Sequence, residues 1–459
     1  MRTLDQILTK KDYSRKTPAS LFYKDSPLWK KLLTIGCVFF LAGAGLGEWK
    51  VLNGMLGGLP KAISLGVIGL AMLYTLFYPD EKRLRELWKP TLLYMSLMVA
   101  LFFWSMVIWI KSFATVSSMI RSCSKLVFQS IAILTAVALV YLFREKAIEL
   151  FTISICIANT AIMLLSIPGY GFAASIQSLV TCLITFGDAD GYALQLEIHD
   201  LTFVFGQMIL YYAVFAPRTT RQEKRKRWLY LLLCCWFFLV GMKRIAIPAV
   251  VLFVLIALLL RKRKVPNWFY PAVGVCCILF FLAFLYGVRN GIISRLLNSV
   301  GVDMMGRDYL WSMANPYYEF SVTYLGHGFE YVDTIIGQWY SAGLINHPYP
   351  FHNDILKVFV EVGFPGFLLW SGIQYVLTPL FWQRYADQET TLLYLCELGY
   401  MTVTYLTDNT AFYFWSTMAL RLVTFAYAME RKKPPEPKVW MPDSRQEMRD
   451  RIRILMKEV

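Results

Sequence analysis

Unbroken apolar runs of about twenty residues recur along the chain, each bounded by a short polar or basic segment. A run of that length crosses the roughly 30 Å hydrocarbon core of a bilayer as an α-helix. Twelve such helices are predicted, centred near residues 40, 70, 101, 134, 158, 209, 236, 253, 278, 374, 399 and 420. Apolar and polar residues do not alternate within the runs, which excludes an outer-membrane barrel. The expected fold is all-α: a polytopic integral membrane protein of about 12 transmembrane helices, forming one domain over residues 1–459.

Composition sharpens this reading. The chain is 57% hydrophobic and 17% charged, with a mean hydropathy of +0.48. Soluble domains carry about 25% charged residues, so an ordinary soluble enzyme and a disordered chain are both excluded. The formal net charge is +15. On a soluble protein that excess would point to nucleic acid. Here 34 of the 46 Lys and Arg lie in segments 1–31, 82–90, 144–148, 218–227, 261–266, 383–389 and 431–459. With a cytoplasmic N-terminus those are the inner segments, as the positive-inside rule demands. Both termini are therefore expected in the cytoplasm and the protein in the cell (cytoplasmic) membrane. No nucleic-acid partner is expected. Residues 1–31 lack a small-residue cleavage site, so no removable signal peptide is predicted. Nine scattered cysteines, none in C-x-x-C spacing, read as packing residues.

Two outer segments are long. One runs from about 168 to 200; the other covers 289–353, is rich in Tyr, Trp, Phe and Gly, and is expected to fold as an extracytoplasmic cap that carries the chemistry. The basic tail 431–459 opens on a Pro-rich hinge. It then has capping-box spacing at Ser444 and Glu447, with Met448, Ile452, Leu455 and Met456 on one helical face. A helix on the anionic inner leaflet and a solvated tail both fit it.

Several polar residues run against the topology. Lys243 and Arg244 fall between two apolar runs whose far ends are both basic, so they belong at an outer two-residue turn. Cations there suit an anion held at the membrane surface, or lipid phosphate contacted by snorkelling side chains. Arg289, Arg295 and Arg307 are also outer, and a guanidinium fork suits phosphate oxygens. All four histidines, His199, His327, His347 and His352, are outer too, without zinc-motif spacing. No metal site and no cofactor are expected. His352 precedes Asn353 and Asp354, both good N-caps, and the apolar face Ile355, Leu356, Phe359 and Val360, with Gly363 and Pro365 closing a short helix. At a helix N-terminus the imidazolium is disfavoured, and a neutral imidazole can accept a proton. Glu197, His199 and Asp200 could orient a sugar or a catalytic partner, or cap the helix beginning at Leu201. Asp188 and Asp190 read as turn residues. Glu397 and Arg421, within the last two spans, are expected to pair with each other.

Met305 to Trp311 reads MGRDYLW, and residues 350 to 370 read PFHNDILKVFVEVGFPGFLLW. Together they resemble the O-antigen ligase and polymerase family, with its GR-x-x-x-W element and its HN-x-x-L…E-x-G-x-x-G element. Gly326-His327-Gly328 is similar to that family's G-x-G segment, and the resembling core region is 197–372. The resemblance implies a metal-independent membrane glycosyltransferase of the GT-C class. Its donor would be a glycan on undecaprenyl diphosphate, and its acceptor a hydroxyl of a glycan or lipid at the outer membrane face. Membrane lipids would surround it, and a chain-length regulator or flippase could partner it. By matched position, Arg244 and Arg307 would hold the diphosphate and His352 would take the proton from the attacking hydroxyl. Gly306 and Trp311 would shape the loop, and Asn353 would orient His352 or the acceptor. Lys243 could share or replace the role of Arg244, and His327 is a competing base. Arg289, Glu197 and His199 remain candidates for substrate binding. A polymerase of capsular, exopolysaccharide or O-antigen repeat units is the leading expectation. A ligase to a lipid, protein or wall acceptor is the alternative, and a transporter or lipid flippase the alternative of another class.

Overall fold

The computed structural model describes residues 27–52, 57–112, 115–185, 189–301, 304 and 306–431. The amphipathic tail expected from Ser444 onward, and Asp188, lie outside the described residues. All regular structure among the described residues is helical. A helix covers each of the twelve expected centres. In chain order the main ones are α1 (Leu28–Leu46), α2 (Leu59–Phe77), α3 (Glu81–Ser112), α4 (Val116–Phe143) and α5 (Lys146–Tyr170). After them come α6 (Phe172–Thr185), α7 (Gly191–Leu196), α8 (His199–Leu210), α9 (Arg221–Val240), α10 (Ala246–Leu260) and α11 (Phe269–Arg289). Among the described residues seven helices are long and apolar enough to cross a membrane: α1 to α5, α11, and the run Asp354–Tyr385. The described residues form an all-helical membrane protein.

One expectation about chain breaks changes. The segment 168–200 is mostly helix: α5 continues through Pro168 to Tyr170, and α6 follows after Gly171. Gly363 and Pro365 close a first helical stretch, as expected: Gly363 has non-helical backbone angles and kinks α15 (Asp354–Gly372). A second stretch follows the kink and continues through a π-helical turn at Ile373–Leu377 into α16 (Thr378–Tyr385). At the kink Gly363 has φ +66, closed to other residues without strain. The kink leaves the Glu361 carbonyl without its helical partner. The Gly326–Gly328 turn supplies one, because the His327 and Gly328 amides both donate to it, at 3.0 and 2.7 Å. Phe364 N donates back to Tyr324 O at 2.8 Å. A Cβ on Gly326 would collide with this backbone. The two glycine-containing elements are therefore two sides of one contact.

The last two helices, α17 (Gln388–Thr407) and α18 (Phe414–Arg431), complete the bundle. α18 is buried on every side from Phe414 to Ala428, as expected of an axial helix. It packs against α3, α4, α5, α8 and α17. The expected Glu397–Arg421 pair does not form. Arg421 lies over the Tyr94 ring, 4.8 Å from its centroid, while both Glu397 carboxylate oxygens are buried with no hydrogen-bond partner. Similar depth on neighbouring helices does not place two side chains on facing sides.

The basic segments among the described residues gather at one end of the bundle. Arg227 donates to the carbonyls of Tyr212 (2.5 Å) and Ala213 (2.6 Å), in a π-helical turn that leaves them free. Arg261 pairs with Glu389 and donates to Val214 O. Arg431 pairs with Asp387 and with Glu389 (2.7 Å). Lys226 pairs with Glu149, and Arg144 with Asp80. The polar groups of interest lie at the opposite end.

Candidate functional site

The long segment between α11 and α15 is built from α12 (Ile292–Ser299), α13 (Arg307–Ala314), a single 3₁₀ turn at Asn315–Tyr317, and α14 (Tyr331–Ser341). Its fastenings are specific. Arg289 donates to the Asn315 carbonyl (3.1 Å) and to that of Tyr318, and stacks 5.0 Å from the Tyr318 ring centroid. Its place is as a brace of this segment rather than a ligand for phosphate. Trp311 is buried and donates its indole N–H to Phe351 O at 2.9 Å. Arg307 and Trp311 are four residues apart on α13 and so share a face. Trp311 thereby fixes Arg307 relative to the residue that follows Phe351, which is His352.

His352 has φ +49, an uncommon backbone state for a residue other than glycine. The next residue, Asn353, caps α15, its Oδ1 accepting from Leu356 N at 2.9 Å. Asp354 accepts from Ala411 N at 2.7 Å, tying the helix start to the turn between α17 and α18. That turn carries Asp408, which sequence reasoning missed. His352 Nδ1 lies 3.4 Å from Asp408 Oδ1, so Nδ1–H can donate to the carboxylate and leave Nε2 as a proton acceptor. Burial pushes the Asp408 carboxyl up. The hydrogen bond from His352 and the charge of Lys243 outweigh burial and hold it at about 2.

Lys243 closes the cluster. Its ammonium lies 2.8 Å from Glu197 Oε1, 3.4 Å from His199 Nε2 and 3.8 Å from Asp408 Oδ2. The turn holding it spans Gly241 to Ile245, five residues rather than two, with Met242 at φ +52. Arg244 on the same turn is exposed. Lys243, Glu197, His199 and His352, singled out separately in the sequence, thus meet around Asp408. Asp200 does not join them. It caps α18 instead, accepting from Trp415 N, Ser416 N and Ser416 Oγ at 2.8–2.9 Å.

His352 and Arg307 line one cavity of about 560 Å³, with Gly306, Tyr309, Asn346 and Tyr349. Ligand pockets run from roughly 300 to 1,000 Å³. His327 is absent from its lining. His327 Nε2 lies 2.7 Å from the Tyr317 carbonyl and its ring stacks on Tyr331 at 4.3 Å. Burial lowers its pKa, with the Tyr317 carbonyl pulling the other way. The competing base is thus a strut of the Gly326–Gly328 turn.

A second charge network lies behind α15. Lys357 Nζ reaches Asp333 Oδ2 at 3.0 Å, Glu330 Oε1 at 3.4 Å and Glu361 Oε1 at 3.9 Å. Glu330, like His352, has positive φ (+63). Among the described residues no three His, Cys, Asp or Glu side chains are grouped so as to hold a metal ion.

No curated protein matches the chain. The family model described as O-antigen ligase matches residues 229–371, which include Arg244, Arg307, Trp311 and His352. The GR-x-x-x-W and HN-x-x-L elements therefore lie inside the matched region and face one cavity, and over that region the chain is similar to the O-antigen ligase family.

Proposed function

We propose that the protein polymerises oligosaccharide repeat units carried on undecaprenyl diphosphate, at the outer face of the cytoplasmic membrane. One observation carries the reading: His352, with Nδ1 on Asp408, lines the same cavity as Arg307. His352 Nε2 takes the proton of an acceptor hydroxyl. The hydroxyl oxygen bonds to the anomeric carbon of the donor sugar, and the bond from that carbon to the diphosphate oxygen breaks. The electron pair leaves with the lipid diphosphate, whose growing negative charge falls to Arg307 and to Arg244, exposed on the neighbouring turn. Lys243 is committed to Glu197 and Asp408 and sets the position of Asp408. One base and an in-line attack give inversion at the anomeric carbon. Twelve spans with both termini in the cytoplasm put this cavity outside, next to membrane lipids and within reach of a flippase or chain-length regulator. The core region 197–372 and the extracytoplasmic loop 289–353 hold all of these groups except Asp408. The tail 431–459 stays cytoplasmic.

The test is the glycan ladder of the native host deleted for this gene and complemented with wild type, His352→Ala or Arg307→Ala at matched membrane expression. Collapse to single repeat units supports polymerisation. Full-length chains that stay on the lipid carrier instead assign the protein as a ligase. An unchanged ladder in both variants overturns the site and favours a transporter.

A further inference from the structure

Proton transfer uses one corner of the cavity and leaves the rest of its wall without a task. That wall holds Tyr309, Asn346 and Tyr349, backed by Leu310, Leu344 and Ile345. Tyr309 and Tyr349 are each 55% exposed, an unusual outlay for two large rings facing the same space. Tyr349 is exposed yet held. Its amide donates to His347 O at 2.8 Å, and its ring meets the His347 ring edge-on at 5.5 Å. Gly306, at φ +77, has open space where a side chain would project, so the wall beside Arg307 stays clear.

An aromatic face set among hydrogen-bonding groups suits one ligand class well. A pyranose ring has an apolar face of C–H groups that packs on an aromatic ring, and a rim of hydroxyls that needs amides and phenols. Tyr309 and Tyr349 offer the faces and Asn346 the amide. Tyrosines also form belts at membrane interfaces, but a belt tyrosine faces lipid and does not line a cavity with Arg307 and His352. The base fixes which substrate sits here. His352 must contact the attacking hydroxyl, so the sugar beside it belongs to the acceptor, while the donor diphosphate is drawn to the cations.

We propose that Tyr309, Tyr349 and Asn346 form the acceptor-glycan subsite, a stacking platform that presents a sugar hydroxyl to His352. This rests on the glycosyltransferase reading above. Its test uses the full chain in lipid nanodiscs, lipid-linked donor extracted from the host, and oligosaccharides released by mild acid from the host's own surface polysaccharide. Tyr309→Ala and Tyr349→Ala should each raise the acceptor KM about tenfold, with kcat within about threefold of wild type. Tyr309→Phe and Tyr349→Phe should recover most of the loss. Tyr340→Ala, at an exposed tyrosine of α14 outside the cavity lining, should leave the KM unchanged. Saturation-transfer NMR of the same oligosaccharide should report binding by His352→Ala but weakened binding by the two Tyr→Ala variants. An unchanged KM in both Tyr→Ala variants, an equal rise in Tyr340→Ala, or no oligosaccharide binding by wild type overturns the subsite. Retained transfer by His352→Ala overturns His352 as the base, and no transfer by wild type from the lipid-linked donor overturns the glycosyltransferase reading itself, whatever the tyrosines do.

Discussion

Two charge networks flank the start of α15, and they differ in where they end. The Lys357 network is closed. Lys357, Glu330 and Glu361 are buried, and α14 packs over them. Its buried ions pair with one another and with the backbone, as where Val332 N donates to Glu361, and its part-exposed member, Asp333, does not line the cavity of His352 and Arg307. The Asp408 network is open at one corner. Asp408 is buried, but His352 is 26% exposed and faces the cavity. A closed network fixes geometry. An open one, which adds a histidine five positions before Lys357, keeps one group available to a substrate. Losses in the first should therefore appear as stability, and losses in the second as turnover.

The largest separation should come from His352→Ala. Removing a general base costs about 10²–10⁴-fold in rate. Transfer should fall by that factor, while thermal unfolding of the purified protein in detergent loses at most the part of Asp408's stabilisation that His352 supplies. The reverse pattern, an unstable protein with normal specific activity, would dissolve the contrast. Lys357→Met probes the other side. It leaves three carboxylates together without their cation, and breaking a buried pair this way costs about 3–5 kcal/mol. The expected result is a large drop in unfolding temperature and in membrane accumulation. Exchanging Lys357 together with Glu361 for apolar residues should recover part of it.

The sequence made much of the bundle legible, because a membrane helix announces itself by an unbroken apolar run. Helices cover all twelve expected centres. What failed were readings that needed a neighbour. Gly363 and Pro365 marked the break in α15, but not the Gly326–Gly328 turn that takes up the carbonyl freed there. Ile355, Leu356, Phe359 and Val360 are the buried face foreseen, but Lys357 and Glu361 on the other side are buried as well, since α14 covers them. Asp408 carried a faint signal, an Asp-Asn pair at an outer turn between the last two spans. Nothing along the chain links it to His352, 56 residues earlier. His199, Glu197 and Lys243 were each visible, while their convergence was not.

Acid sharpens the comparison next. Asp408 is held at about 2 against an ordinary 3.8, so the unfolded chain binds its proton first. Its stabilisation is full above about pH 4 and is lost as the pH falls through 2, a contribution of roughly 2 kcal/mol. Unfolding temperature in detergent should fall over that window in wild type. In Asp408→Asn this part of the fall should vanish. An equal fall in the variant would show that the cluster's charges do not act through Asp408.

The smallest effect should come from Asn353, which stands between the two networks in sequence. Resemblance gave it a part in orienting His352 or the acceptor, whereas its Oδ1 is spent as the cap of α15. Serine caps about as well as asparagine, and loss of a cap to alanine costs about 1 kcal/mol. If capping is its whole task, Asn353→Ser should match wild type in stability and transfer. Asn353→Ala should lose about 1 kcal/mol, with a modest fall in rate as the His352 backbone loosens. The Asn353 Nδ2 is buried without a partner, and that sets the alternative. A serine variant that stays stable but transfers poorly would mean that this amide reaches the reacting groups, moving Asn353 from the scaffold to the open network.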